Sequence, residues 1–127
     1  VVASLGVDSG YVPKTSNCTT KSYLAENEDV IQSFTNALQK GMEYVNTHSP
    51  EEIAKVIAPQ FEETDIETIE TIVNRYYEQN TWKDNLVFEE SSFDLLQNIL
   101  SDAGELDREV PYDNIIDTKF AQKAIGK

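Results

Sequence analysis

Residues 49–79, SPEEIAKVIAPQFEETDIETIETIVNRYYEQ, hold the clearest helix punctuation in the chain. Ser49 suits an N-cap, Pro50 the first helical position, and Glu52 can reach back to close a capping box. The helix so opened turns Ile53, Ala54 and Ile57 inward and is expected to stop before Pro59, because the residue preceding a proline is pushed out of the helical region. Thr64 and Glu67 read as a second capping box. It launches a helix with Ile66, Ile69, Ile72, Val73 and Tyr76 on one face.

The same grammar extends outward from this hairpin. Asn27 is expected to cap a long helix from Glu28, whose stripe is Val30, Phe34, Ala37, Leu38, Gly41 and Val45. Glu28 and Asp29 suit the positive end of its dipole. A shorter helix precedes it over 21–26. Downstream, residues 89–103 bury Phe93, Leu96, Ile99, Leu100 and Ala103 and end at Gly104. A turn follows Pro111, and Asp117 is expected to cap a last helix. Only Val1–Leu5, closed by Gly6, reads as a buried strand, with NLVFE around Val87 a weaker second. One or two strands make no sheet. The expectation is therefore a mainly α chain, about five helices plus an N-terminal strand, cut from something larger. An orphan strand offers unpaired backbone groups, so strand-mediated self-association is also expected.

The totals narrow the class. The chain has 127 residues, enough for one domain. Its 23 acidic and 10 basic residues give a net charge of −13, which repels phosphate backbones and argues against a nucleic-acid partner. No apolar run approaches the roughly 20 residues that span a bilayer. The single cysteine, Cys18, cannot form an internal bridge, and no leader segment is visible.

Most chemical motifs are absent. His48 lies in the loop NTHSP without other ligands at metal spacing, and reads as a turn residue. Glu51–Glu52, Glu62–Glu63 and Glu89–Glu90 flank helix starts, where negative charge is stabilising in any case. Tyr76, Tyr77 and Trp82 read as packing aromatics. No phosphate loop, dinucleotide fingerprint or nucleophile elbow is present. Neither a catalytic residue nor a metal or cofactor is expected. The exception to this blandness is the polar run Thr15–Thr20, directly before a helix. Its hydroxyls and free N–H groups suit either a polar or anionic small ligand or an ordinary loop and N-cap.

Taken together, these stretches resemble the closing third of substrate-binding proteins of the nitrate/sulfonate/taurine (NitT/TauT) class. That class includes relatives binding the thiamine pyrimidine precursor, and all of them feed ABC importers. The resemblance runs through Ser49-Pro50-Glu51-Glu52-Ile53-Ala54, Phe61, Arg75-Tyr76, Thr81-Trp82, Ala103-Gly104-Glu105-Leu106, Val110-Pro111-Tyr112-Asp113 and Asp117-Thr118-Lys119-Phe120-Ala121. It implies a two-lobed α/β fold of the type II periplasmic-binding-protein kind. Residues 1–20 would form the crossover strand with the hinge and cleft segment, and 21–127 the C-terminal helical part of the first lobe. It further implies a small organic or anionic solute, a membrane permease as partner, an extracytoplasmic location and no catalysis. Lys14, Thr15 and Ser16 become the candidate ligand contacts. Lys14 stands where the class pattern has an aromatic, which favours an acidic ligand over a stacked one. Two rival readings remain: a thiamine-pyrimidine synthase-like enzyme on the same fold, and a free-standing helical interaction module.

Overall fold

The computed structural model describes residues 5–13 and 15–125. Among them are eight α-helical segments and no strand: α1 Leu5–Asp8, α2 Lys21–Glu26, α3 Glu28–Thr47, α4 Pro50–Ile57, α5 Ile66–Glu78, α6 Glu90–Asp102, α7 Tyr112–Ile115 and α8 Lys119–Ala124. The strand expected at Val1–Leu5 lies mostly outside the described residues. Its last residue, Leu5, and Gly6 belong instead to the single turn of α1. The weaker strand around Val87 is irregular chain, held locally by a bond from the Val87 N–H to Asn85 Oδ1 at 2.9 Å.

The α4–α5 hairpin follows from its caps. Ser49 Oγ accepts the Glu52 N–H at 3.3 Å, while the Glu52 carboxylate accepts the Ser49 N–H at 2.8 Å. Both hydrogen bonds of the predicted capping box are present. α4 ends at Ile57, before Pro59 as expected. Pro59 itself lies in the next turn, the 3₁₀ segment Ala58–Gln60, which tightens the helix end. The second cap is shifted by one residue from the expectation: Asp65, not Thr64, accepts the Thr68 N–H at 2.8 Å and the Thr68 hydroxyl at 2.7 Å. The two carboxylate oxygens take one donor each.

Two helix ends use the same left-handed closure. Asn80 has φ 50° and Gly104 φ 74°. Thr81 N–H reaches back to the Tyr76 carbonyl at 3.0 Å, and Glu105 N–H to that of Leu100 at 2.9 Å. This six-to-one bond occupies carbonyls that the helix end would leave open.

Packing is divided into patches. Ile53 and Ala54 of α4 interlock with Ile69 and Val73 of α5, and Tyr44, Val45, Ile57, Tyr77 and Trp82 close around them. Ile53 and Val73 retain only 3% and 2% of their exposure. A second patch sets Phe93 of α6 edge-to-face with Phe88 and Tyr112. There the Gln97 amide grips Val110, accepting its N–H at 2.7 Å and donating to its carbonyl at 3.2 Å. The third patch lays Phe120, Ala121 and Ala124 of α8 along α3.

That third patch corrects the expected face of α3. α8 docks on its polar side, where Gln32 donates to the Phe120 carbonyl at 3.0 Å and Lys119 pairs with Glu28 at 2.8 Å. Gln39 is buried, Leu38 and Val45 are half-buried, and Ala37 and Gly41 are exposed. Val30 and Phe34 keep 54% and 50% of their exposure. On α6, likewise, Ile99 and Ala103 are exposed while Ser92 and Gln97 are buried. The N-terminus of α3 also differs from the reading. Asn27 makes no side-chain cap; its amide donates backward to the Tyr23 carbonyl at 3.0 Å. At α8, Thr118 occupies the cap position, and Asp117 accepts the Lys119 N–H at 3.0 Å from one residue earlier.

Candidate functional site

The segment that carries the candidate contacts is pinned before it reaches them. Gly10 adopts φ 78°, and a Cβ there would come to 3.4 Å from Leu95 of α6. The Val12 N–H turns back to the Gly10 carbonyl at 2.9 Å. Tyr11 accepts from the Asn80 amide through its hydroxyl, so the segment is tied to the end of α5 as well. A left-handed residue passing close over a neighbouring helix favours glycine. The polar run thus leaves from a fixed point between α5 and α6.

Of the three expected contacts, Lys14 lies outside the described residues. Thr15 and Ser16 are exposed, as is every residue from 15 to 20. Ser16 Oγ approaches Cys18 Sγ at 3.8 Å. Thr20 is the N-cap of α2: its hydroxyl accepts the Tyr23 N–H at 3.2 Å and meets Ser22 Oγ at 3.1 Å. So the loop-and-cap reading accounts for Thr20, while Thr15, Ser16 and Thr19 present exposed hydroxyls outside the cap. They line neither of two surface hollows found elsewhere. One, about 150 Å³, lies between Asn36, Gln39, Glu43 and Ala124. The other, about 410 Å³, is rimmed by Glu90, Asp94, Glu109 and Asp113.

Charge is distributed in a way the bulk composition hides. Residues 1–42 carry four acidic and three basic side chains, whereas residues 43–127 carry nineteen and seven. From Ser9 to Ala25 there is no acidic residue, and both charges in that stretch, Lys14 and Lys21, are positive. A hydroxyl-rich segment without carboxylates, exposed over residues 15–20, is chemically suited to a polar group or to an anion, which a net charge of −13 otherwise repels. Reading charge along the chain, rather than summing it, is the signal that exposes this.

The groups set aside earlier have structural roles. His48 closes α3, stacks on Tyr44 with ring centroids 3.6 Å apart, and donates from Nδ1 to the Tyr44 carbonyl at 2.8 Å. The Tyr77 hydroxyl is shared between the carbonyls of Val45 and His48, the latter at 2.9 Å, and Trp82 meets the Tyr76 and Tyr77 rings edge-on. Burial pushes the Tyr77 phenol above its ordinary pKa. The Tyr112 phenol is raised too, first by burial and then by Glu90, Asp113 and Glu89. Among the described residues no three His, Cys, Asp or Glu side chains gather to hold a metal. No helix there is long and apolar enough to cross a membrane.

Among known proteins the chain has a homologue named as a binding protein. That relative, "Putative binding protein YtlA" of Bacillus subtilis (strain 168), is 37% identical over all 127 residues. The match covers 100% of this chain and 38% of the length of the relative. No family model and no solved structure matches.

Proposed function

We propose that the chain is part of a solute-capture protein of the nitrate/sulfonate/taurine kind, which binds a small polar or anionic molecule and delivers it to an ABC permease. The observation that carries this reading is the match over all 127 residues to a relative named as a binding protein. The carboxylate-free segment Ser9–Ala25 supplies a stretch of chain chemically suited to the ligand. In this reading the whole protein has two α/β lobes around a cleft and works outside the cytoplasmic membrane. Residues 1–20 contribute the hinge and part of one cleft wall, and Lys14, Thr15 and Ser16 contact the solute. No bond is made or broken.

Such a site works by enclosure, because small-molecule sites bury most of the ligand between converging walls. Thr15 and Ser16 are exposed here, so this chain alone offers contacts without exclusion of water. Calorimetry with sulfonates, nitrate, taurine and the hydroxymethyl pyrimidine tests the reading. The 127-residue chain is expected to bind at roughly millimolar or weaker, about 4 kcal/mol. The whole gene product should bind one of them at least about a hundredfold more tightly, a gap of about 2.7 kcal/mol. Lys14→Ala in it should weaken an acidic ligand more than a neutral one. Tight binding by the 127-residue chain, or a whole protein that binds none of these solutes, overturns the reading.

A further inference from the structure

We infer that the outward face of α3 formed by Val30, Phe34, Ala37 and Gly41 is a docking surface for further polypeptide of the same protein, corresponding to the part of the Bacillus subtilis relative that lies outside the match. These residues recur at i, i+4, i+7 and i+11 and so form one stripe. All four are exposed, although two are large and apolar.

Three observations support a cover on the stripe. The chain exposes 9523 Å². A compact monomer of 14.3 kDa exposes roughly 6,800 Å². The seven undescribed residues, fully extended, would supply only about 1,000 Å² of that excess. The remainder, spread over the whole surface, exceeds one partner's share of a standard protein–protein interface, about 800 Å². The larger part of the relative is unmatched by this chain, so polypeptide of sufficient size accompanies the equivalent helix there.

The second observation is charge. In a protein with 23 acidic residues, Val30–Met42 contains none and only one base, Lys40. Depletion of charge is what marks the core of an interface. A second copy of this chain is a poor occupant, since it would bring another net charge of −13 against the first. The third is Gly41. It sits mid-helix, where glycine is less stable than alanine. A Cβ built there meets nothing within 4 Å, so no described contact requires the glycine. Close approach by an element outside the described chain would make use of it.

The inference needs only the kinship with a longer relative and is independent of any solute. The test uses the intact product of the gene with Cys18→Ser, carrying either Phe34→Cys or, on the exposed side of α5, Asn74→Cys. Maleimide labelling is timed in native buffer and in urea. The thiol at position 34 is expected to be protected at least tenfold more than that at 74. Equal protection within threefold overturns the proposal, as does an intact product no longer than 127 residues that sediments as a monomer. Protection that appears in the 127-residue chain only as its concentration rises also overturns it, in favour of self-assembly. As a second reading, Gly41→Trp should leave the melting temperature of the 127-residue chain unchanged within 2 °C and lower that of the intact product by more than 5 °C. The same shift in both would place the glycine's role inside this chain.

Discussion

The two ends of α3 have the same kind of sequence and opposite surroundings. At its C-terminal end Tyr44 and Val45 lie against the Ile53–Ala54–Ile69–Val73 cluster. At its N-terminal end Val30 and Phe34 face solvent, while the amide side chains of Gln32 and Gln39 are covered instead. Their Oε1 atoms are buried without a hydrogen-bond partner. Apolar periodicity states which face a helix offers. Whether the face is covered depends on a neighbour being available, and α4–α5 provides one where α1–α2 does not.

The largest expected effects lie in the covered half. Ile53→Ala should destabilise the 127-residue chain by about 2–5 kcal/mol, the range for buried large-to-small changes. Urea unfolding followed by far-UV circular dichroism measures it, and a loss below about 1 kcal/mol would mean the α4–α5 cluster is not the anchor. Tyr77→Phe removes the hydroxyl shared by Val45 and His48 and should cost about 1–3 kcal/mol by the same assay. Unchanged stability would detach α5 from the end of α3.

Smaller effects sharpen the contrast. Ser49→Ala should cost about 1 kcal/mol through loss of the cap on α4. The cap also has a pH signature. The Glu52 carboxyl is held below its ordinary 4.5 by the Ser49 backbone N–H and hydroxyl, and that of Asp65 below 3.8 by the Thr68 hydroxyl and N–H. A group whose folded pKa is depressed stabilises the fold above its unfolded pKa and loses that contribution as pH falls through the folded value. Denaturation midpoints should therefore fall below about pH 4. The fall should be shallower in a Glu52→Gln, Asp65→Asn double variant. The smallest effect belongs to the open half: Phe34→Ser should change the stability of the 127-residue chain by less than about 0.5 kcal/mol. A loss above 1.5 kcal/mol would show Phe34 to be core after all.

What could be read from the sequence was what depends on neighbours in the chain. Ser49 and Glu52 are three residues apart, and their box forms as expected. Gly104 closes α6 for the same local reason. The cap at Asp65 was misplaced by one residue because Thr64 and Asp65 are both good caps, and only geometry chooses between them. The face of α3 was not legible, since α8 begins 91 residues after Glu28, which Lys119 joins. Nor could spacing predict that Gly10 would lie against Leu95 and Tyr11 against Asn80, the contacts that position the candidate segment. The hydroxyls and positive charges of that segment were legible, because composition needs no fold.

One consequence of α3 concerns leverage. At 20 residues it is a rod about 30 Å long. Through Tyr44 and Val45 its far end is seated against the α4–α5 cluster, and its near end carries α2 and, through Glu28–Lys119, α8. A tilt of only about 5° at the seated end sweeps the near end through about 2.6 Å over that length. A displacement of that size makes or breaks a hydrogen bond. A tilt of that size at the seated end would therefore be felt as a displacement on the scale of a contact at the polar segment that ends in Thr20.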